Sequence, residues 1–197
     1  MAKVSQRGLE HIASFEGFRG APYNDPVGYA TIGYGHLLHR SNVTAADRKK
    51  WGTLTRAEGL KLLREDVAGF ERGVDAVVKV PLSQHQFDAL VAFAFNVGLG
   101  AFDSSTLLKE LNRRHYSAVP GQLMRWTKAG GQTLPGLVRR RKAEGALFRK
   151  GSSLKERRQA RLNQLRRIAT ARRKDKRIGW NTPMRKLGRL LKKRGAK

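Results

Sequence analysis

The sequence predicts an α+β fold: a small strand-bearing lobe near the amino terminus, beside a larger helical lobe, with a cleft between them. Three observations carry this. The glycine-rich stretch "YNDPVGYATIGYGHLL" has the turn residues and the aromatic and β-branched residues of a hairpin. "TRAE" and "SQHQ" are helix-start signatures, each heading a segment with apolar residues three and four apart. From Ala89 to Phe95 the chain is apolar on nearly every side, as a central buried helix must be.

Val4 to Phe15 fits a short helix with Val4, Ile12 and Phe15 facing inward. Asp25-Pro26-Val27-Gly28 reads as a turn, and Tyr29, Thr31 and Gly33 alternate as a strand after it. The Thr55/Glu58 box opens a helix carrying Leu60, Leu63, Val67, Phe70, Val74 and Val77, which Pro81 is expected to end. The Ser83/Gln86 box opens the central helix, with Gly98 and Gly100 as its expected stop. Shorter helices are expected over Thr106–Leu111, Val119–Thr127 and Leu137–Phe148.

The 197 residues suffice for one ordinary domain plus an appendage, and 40% hydrophobic content suffices for a core. Charge divides the chain. Of 41 Lys+Arg and 15 Asp+Glu, residues 151–197 hold 18 and 2, which leaves 23 and 13 in residues 1–150. We therefore expect a domain over 1–150 and a strongly cationic extension over 151–197, with the boundary at "RKGSSLKER". The extension has two helically spaced sets, Leu162/Leu165/Ala169 and Leu187/Leu190/Leu191, and Trp180 suits a membrane interface; a disordered cationic tail is the alternative. A net charge of +26 calls for an anionic partner: nucleic acid, lipopolysaccharide, anionic lipid or cell wall.

With no cysteine, a disulfide framework, a thiol nucleophile and a Cys-based zinc site are excluded. His11, His36, His39, His85 and His115 form no H-E-x-x-H pattern, so no metal is expected, and no phosphate-binding glycine loop is present. The opening "MAKVSQRGLEHIASFEG" holds no apolar run long enough for a signal peptide, and the expectation is synthesis in the cytosol.

Two carboxylates stand out in "FEGFRGAPYNDPVGYATIGYGH". Glu16 falls near the end of the first helix, between Phe15 and Phe18. The negative helix end and apolar neighbours favour a protonated carboxyl, the form a general acid needs. Asp25 falls in a turn, where backbone donors and water stabilise the ionised form. Carboxyls in such contrasting surroundings suit glycoside hydrolysis, one protonating the leaving oxygen while the other handles water. A Glu on a helix is more often mere surface, and an Asp before Pro more often mere turn. Spacing weighs against that reading.

Glu16, Asp25 and Thr31 match the Glu-x8-Asp-x5-Thr signature, flanked by "FEGFR" and "TIGYGH". With "ALVAFAFNVGLGAFDSSTLL" and "MRWTKAGGQTLPGLVRRRKAEGALF" further on, residues 5–150 resemble the phage-type lysozymes of glycoside hydrolase family 24. The resemblance implies a lysozyme-like fold and cleavage of the β-1,4 bond between N-acetylmuramic acid and N-acetylglucosamine in peptidoglycan. It implies Glu16 as proton donor, Asp25 and Thr31 as holders of the attacking water, and Leu37, Phe95 and Ser105 as substrate contacts. It further implies a structural ion pair of His36 with Asp66, a pairing of Glu16 with one of Arg139, Arg140 and Arg141, a monomer, and no cofactor. The enzyme would wait in the host cytoplasm until a membrane pore admits it to the periplasm. A lytic transglycosylase on the same substrate, and nucleic-acid binding by the tail, are the competing functions. Residues 152–197 are expected to contact anionic lipid or lipopolysaccharide. Trp126 is read as core and Gly33 and Gly35 as allowing close approach of a polysaccharide.

Overall fold

The computed structural model describes residues 2–150 together with Arg158, Leu162, Leu165, Ala169 and Thr170. Those five tail residues have helical backbone and are exposed; the expected boundary at 151, Trp180 and the leucines at 187, 190 and 191 lie outside the described residues.

Helix α1 (Gln6–Ala13) starts where the Ser5 hydroxyl accepts from the Gly8 N–H at 3.1 Å. Its end comes earlier than expected. Phe15 and Glu16 sit in a turn whose N–H groups donate to the Ile12 and Ala13 carbonyls. The segment before α1 is pinned: the Val4 N–H donates to Glu71 Oε1 at 2.7 Å, and the Ser5 N–H to Asp88 Oδ1 at 3.0 Å.

Strands β1 (Arg19–Asn24), β2 (Ala30–Gly33) and β3 (His36–His39) form an antiparallel sheet in that order, so the expected hairpin gains a third strand. Tyr23 pairs with Thr31, and Thr31 with Leu37. Asp25 and Gly28 close the first turn with a 3.0 Å backbone bond, and Gly28 takes φ +89°, open to glycine at little cost. β2 does not alternate; all four of its residues are buried. It is the middle strand, and helix α3 (Arg56–Val77) approaches it so closely that a Cβ on Gly33 would lie 3.6 Å from the Gly59 Cα.

Helix α2 (Ala45–Trp51) has a Thr44/Asp47 capping box that periodicity did not reveal. The Thr55/Glu58 and Ser83/Gln86 boxes form at the starts of α3 and of α4 (Gln84–Val97). α3 stops before Pro81 because the Asn112 amide takes its terminal groups: Nδ2 donates to the Val77 carbonyl at 3.0 Å and Oδ1 accepts the Lys79 N–H at 2.8 Å. Gly98 ends α4, but Gly100 lies inside α5 (Leu99–Ser104). α6 (Thr106–Asn112), a 3-10 turn and α7 (Val119–Leu123) follow. The helix expected over 119–127 stops early, at Leu123; a small hairpin of β4 (Lys128–Ala129) and β5 (Gln132–Thr133) follows, then α8 (Pro135–Lys150), which crosses α4.

The core gathers around α4. Residues 86–94 of that helix are all buried, and Phe93 meets Phe102 and Trp126 edge to face at 6.2 and 5.4 Å. Phe93 and Phe102, both fully buried, each contribute about 1.5–3 kcal/mol of apolar burial. No helix among the described residues is long and apolar enough to cross a membrane.

α1 seats on α4 through a glycine. A Cβ at Gly8 would meet the Asp88 Cγ at 2.6 Å and the Val4 Cγ1 at 2.7 Å. Asp88 is buried and holds three hydrogen bonds, so it yields poorly. Gly8→Ala is expected to cost about 1–3 kcal/mol by overpacking, despite alanine's better helix propensity, and thermal denaturation followed by circular dichroism measures it.

Candidate active site

Glu16 owes its place to the early end of α1, which leaves it on the link to β1; Asp25 owes its place to the turn after β1. Both line one groove of about 380 Å³, together with Arg19, Tyr23, Asn24 and Tyr34.

The two carboxylates are anchored differently. Asp25 Oδ1 accepts the Val27 and Tyr29 N–H groups at 3.0 and 2.8 Å, an Asx turn made by the Asp-Pro-x-Gly sequence itself. Oδ2 has no hydrogen bond among the described residues. Glu16, with its side chain 27% exposed, is held from the far end of the chain: Oε1 accepts from Arg140 NH1 at 2.8 Å. Of the three consecutive arginines, Arg139 is exposed while Arg140 and Arg141 are buried.

Behind Glu16 lies a buried ionic cluster. Arg140 donates from Nε to Glu144 Oε1 at 3.3 Å and from NH2 to the Ala92 carbonyl at 3.5 Å, with its guanidinium 5.5 Å from the Phe15 ring centre. Arg141 lies over Phe93 at 4.8 Å and donates to Asn96 Oδ1. Its NH1 is 3.2 Å from Glu144 Oε2, close enough for charge attraction, but neither atom makes a hydrogen bond. Burial pushes the Glu144 carboxyl up to about 7 although two guanidinium groups oppose it, and burial brings Arg141 down to about 10.

Thr31 stands in the centre of β2, 4% exposed, its hydroxyl donating to the Tyr29 carbonyl at 3.0 Å and keeping its acceptor capacity. It adjoins the Asp25 turn through Tyr29 but is not among the groove-lining side chains. Leu37, Phe95 and Ser105 also lie outside the lining. Leu37 is 44% exposed on β3, Phe95 packs on Phe70 at 5.1 Å, and buried Ser105 caps α6, donating to the Phe102 carbonyl and accepting the Leu108 N–H. His36 Nδ1 lies 2.9 Å from Asp66 Oδ1, which ties β3 to α3.

Sequence reasoning passed over Arg19, Tyr23 and Glu144. Arg19 stacks over the Tyr23 ring at 4.6 Å inside the groove, and burial raises the Tyr23 phenol above its ordinary value, with Arg19 opposing. A cation and an aromatic four residues apart on one strand face gave the signal. For Glu144 it was the helical spacing to Arg140 and Arg141, four and three residues back.

Comparison with known proteins adds to this geometry. The chain is 43% identical over 152 residues to an endolysin of Bacillus phage B103, covering 76% of this chain and 55% of that one, so it spans about half the length of that relative. It superposes on the crystal structure of a P22 lysozyme mutant with a TM-score of 0.66 at 35% identity, covering 75% of this chain and 99% of that one. It also superposes on the muramidase domain of SpmX from Asticaccaulis excentricus with a TM-score of 0.61 at 37% identity, covering 75% and 98%. The model of the phage lysozyme family matches residues 13–144, and the chain, with its strand-bearing lobe, its helical lobe and its two-carboxylate groove, belongs to that family.

Proposed function

We propose that this protein is an endolysin, a muramidase that hydrolyses the β-1,4 bond between N-acetylmuramic acid and N-acetylglucosamine in bacterial peptidoglycan. The observation that carries the reading is the shared groove: Glu16 and Asp25, 9 positions apart in sequence, line one cleft while anchored by unlike partners. Glu16 donates its proton to the leaving glycosidic oxygen. Asp25, fixed at Oδ1 and open at Oδ2, holds a water on the opposite face of the sugar and draws its proton as it attacks; Thr31 adds an acceptor to the same water through its hydroxyl. No cofactor enters this chemistry.

Leu37 and the half-buried Phe95 offer apolar surface to sugar faces. Ser105 has one lone pair left after its cap bonds, so its contribution is that of a single acceptor. The His36–Asp66 pair keeps β3, and with it the groove wall, against α3. The enzyme acts as a monomer and reaches the wall from the host cytoplasm through a pore, as suits a relative of phage endolysins.

The competing chemistry is a lytic transglycosylase, which closes an anhydro ring on the sugar and needs no water. Asp25 Oδ2, which takes no hydrogen bond among the described residues and so has lone pairs to offer a water, supports hydrolysis. For residues 152–197 we propose contact with the anionic envelope, lipopolysaccharide or anionic lipid, on the strength of a lysine and arginine excess that exceeds what solubility needs. Nucleic-acid binding by that stretch is the second reading and is secondary, because the groove gives the protein its chemistry elsewhere.

Glu16→Gln is expected to fold normally and to lose at least about a hundredfold in clearing outer-membrane-stripped cells, the scale of general acid catalysis. Asp25→Asn is expected to be comparably severe. Substantial residual clearing by Glu16→Gln would refute the proton-donor role. A chain truncated before Ser152 should digest purified peptidoglycan as the full chain does but lose retention on lipopolysaccharide-containing vesicles in a sedimentation assay. Unchanged retention would assign the envelope contact to the first domain.

A further inference from the structure

The cluster behind Glu16 carries more charge than a core of this size needs. Arg140, Arg141 and Glu144 are 5%, 0% and 0% exposed. Buried ions of this kind seldom stabilise a fold better than apolar residues of the same volume. Their arrangement is directional. Each nitrogen of the Arg140 guanidinium has its own acceptor: Nε has Glu144, NH2 has the Ala92 carbonyl, and NH1 has Glu16. Only Glu16, among the cluster's members, lines the groove. Glu144 touches no solvent, and its two oxygens face Arg140 at 3.3 Å and Arg141 at 3.2 Å.

From this geometry we infer that Glu144 is a positioning residue for the reaction: it holds Nε of Arg140 and balances two buried guanidinium groups, and so fixes both the direction and the charge environment in which Glu16 meets the groove. The inference rests on Glu16 being the proton donor. With both carboxyls ionised, the cluster of two arginines and two glutamates is neutral. With the proton on Glu16, an ionised Glu144 alone opposes two cations, a form that burial disfavours and the two guanidinium groups favour. Remove its charge and the arginines are left to Glu16, which favours the ionised Glu16 and strips its proton at lower pH.

The other charged groups facing the cluster are few, and on the groove side Arg19 of β1 and Asp25 of the following turn share the lining with Glu16. His11 on α1 has its proton affinity lowered by burial and then by Arg140, and raised by Asp88 on α4. α7, which also packs on α8, carries no charged residue.

Steady-state kinetics of the full-length protein on soluble peptidoglycan fragments tests this. Glu144→Gln keeps the volume and loses the charge. It should lower kcat tenfold or more with KM within twofold, and move the alkaline limb of the rate profile to lower pH. Glu144→Asp keeps the charge but draws it back from Arg140; it should leave the limb in place and lower kcat less. A folded Glu144→Gln with wild-type kcat and an unmoved limb would overturn the inference. Should Glu144→Gln not fold, wild-type kcat in Glu144→Asp would overturn it equally. Glu16→Gln run in parallel separates the two levels: turnover by that variant removes the proton-donor reading, whereas an inert Glu16→Gln beside a wild-type-like Glu144→Gln removes the positioning role alone.

Discussion

The ion pair between Glu16 and Arg140 spans 124 residues of sequence and is the constraint on which the site depends. It joins the link after α1 to the last helix of the domain, so the direction in which Glu16 meets the groove depends on α8, although α8 supplies none of the groove's lining. Its geometry needs a rigid donor. The guanidinium supplies one, since a planar fork with three occupied nitrogens loses little freedom on binding a carboxylate. α8 can present that fork because it lies across α4, where the Ala92 carbonyl and Asn96 side chain receive the two arginines.

The other half of the groove is built on local terms. Asp25 is fixed by the two N–H groups that follow it, with Gly28 taking the positive φ that lets the chain turn back. The sheet that carries this turn is small, and α3 seals it from behind, close enough that Gly33 and Gly59 face one another without side chains. One carboxylate thus depends on tertiary closure and the other on a turn of five residues. This difference in support lets the first be embedded among charges while the second stays half in water.

The parts of the fold that were legible in the sequence are those governed by local rules. The capping boxes at Thr55 and Ser83 placed two helix starts correctly because each satisfies backbone donors with residues three apart. The apolar run from Ala89 identified the buried helix, and of the three residues of the signature Glu16 and Asp25 line the groove while Thr31 sits in the sheet and outside its lining. Misread elements depended on distant partners. α3 ends at Val77 because Asn112 caps it, not because of Pro81. β2 is buried throughout because a helix and two strands surround it, so its alternation was cancelled. In "RRRKAEG" the resemblance implied only that one arginine meets Glu16, whereas Arg140, Arg141 and Glu144 are all interior, their partners Glu16, Ala92 and Asn96 being distant in sequence.

On the proposed mechanism, a water held by Asp25 on the face opposite Glu16 leaves its mark on the sugar. Proton NMR of the reducing end freed in the first moments of digestion, before mutarotation, reads that mark directly. Inversion at a β-1,4 bond gives the α anomer first. A β anomer as first product, or an anhydro sugar with no reducing end, would contradict the pairing of these two carboxylates across one groove.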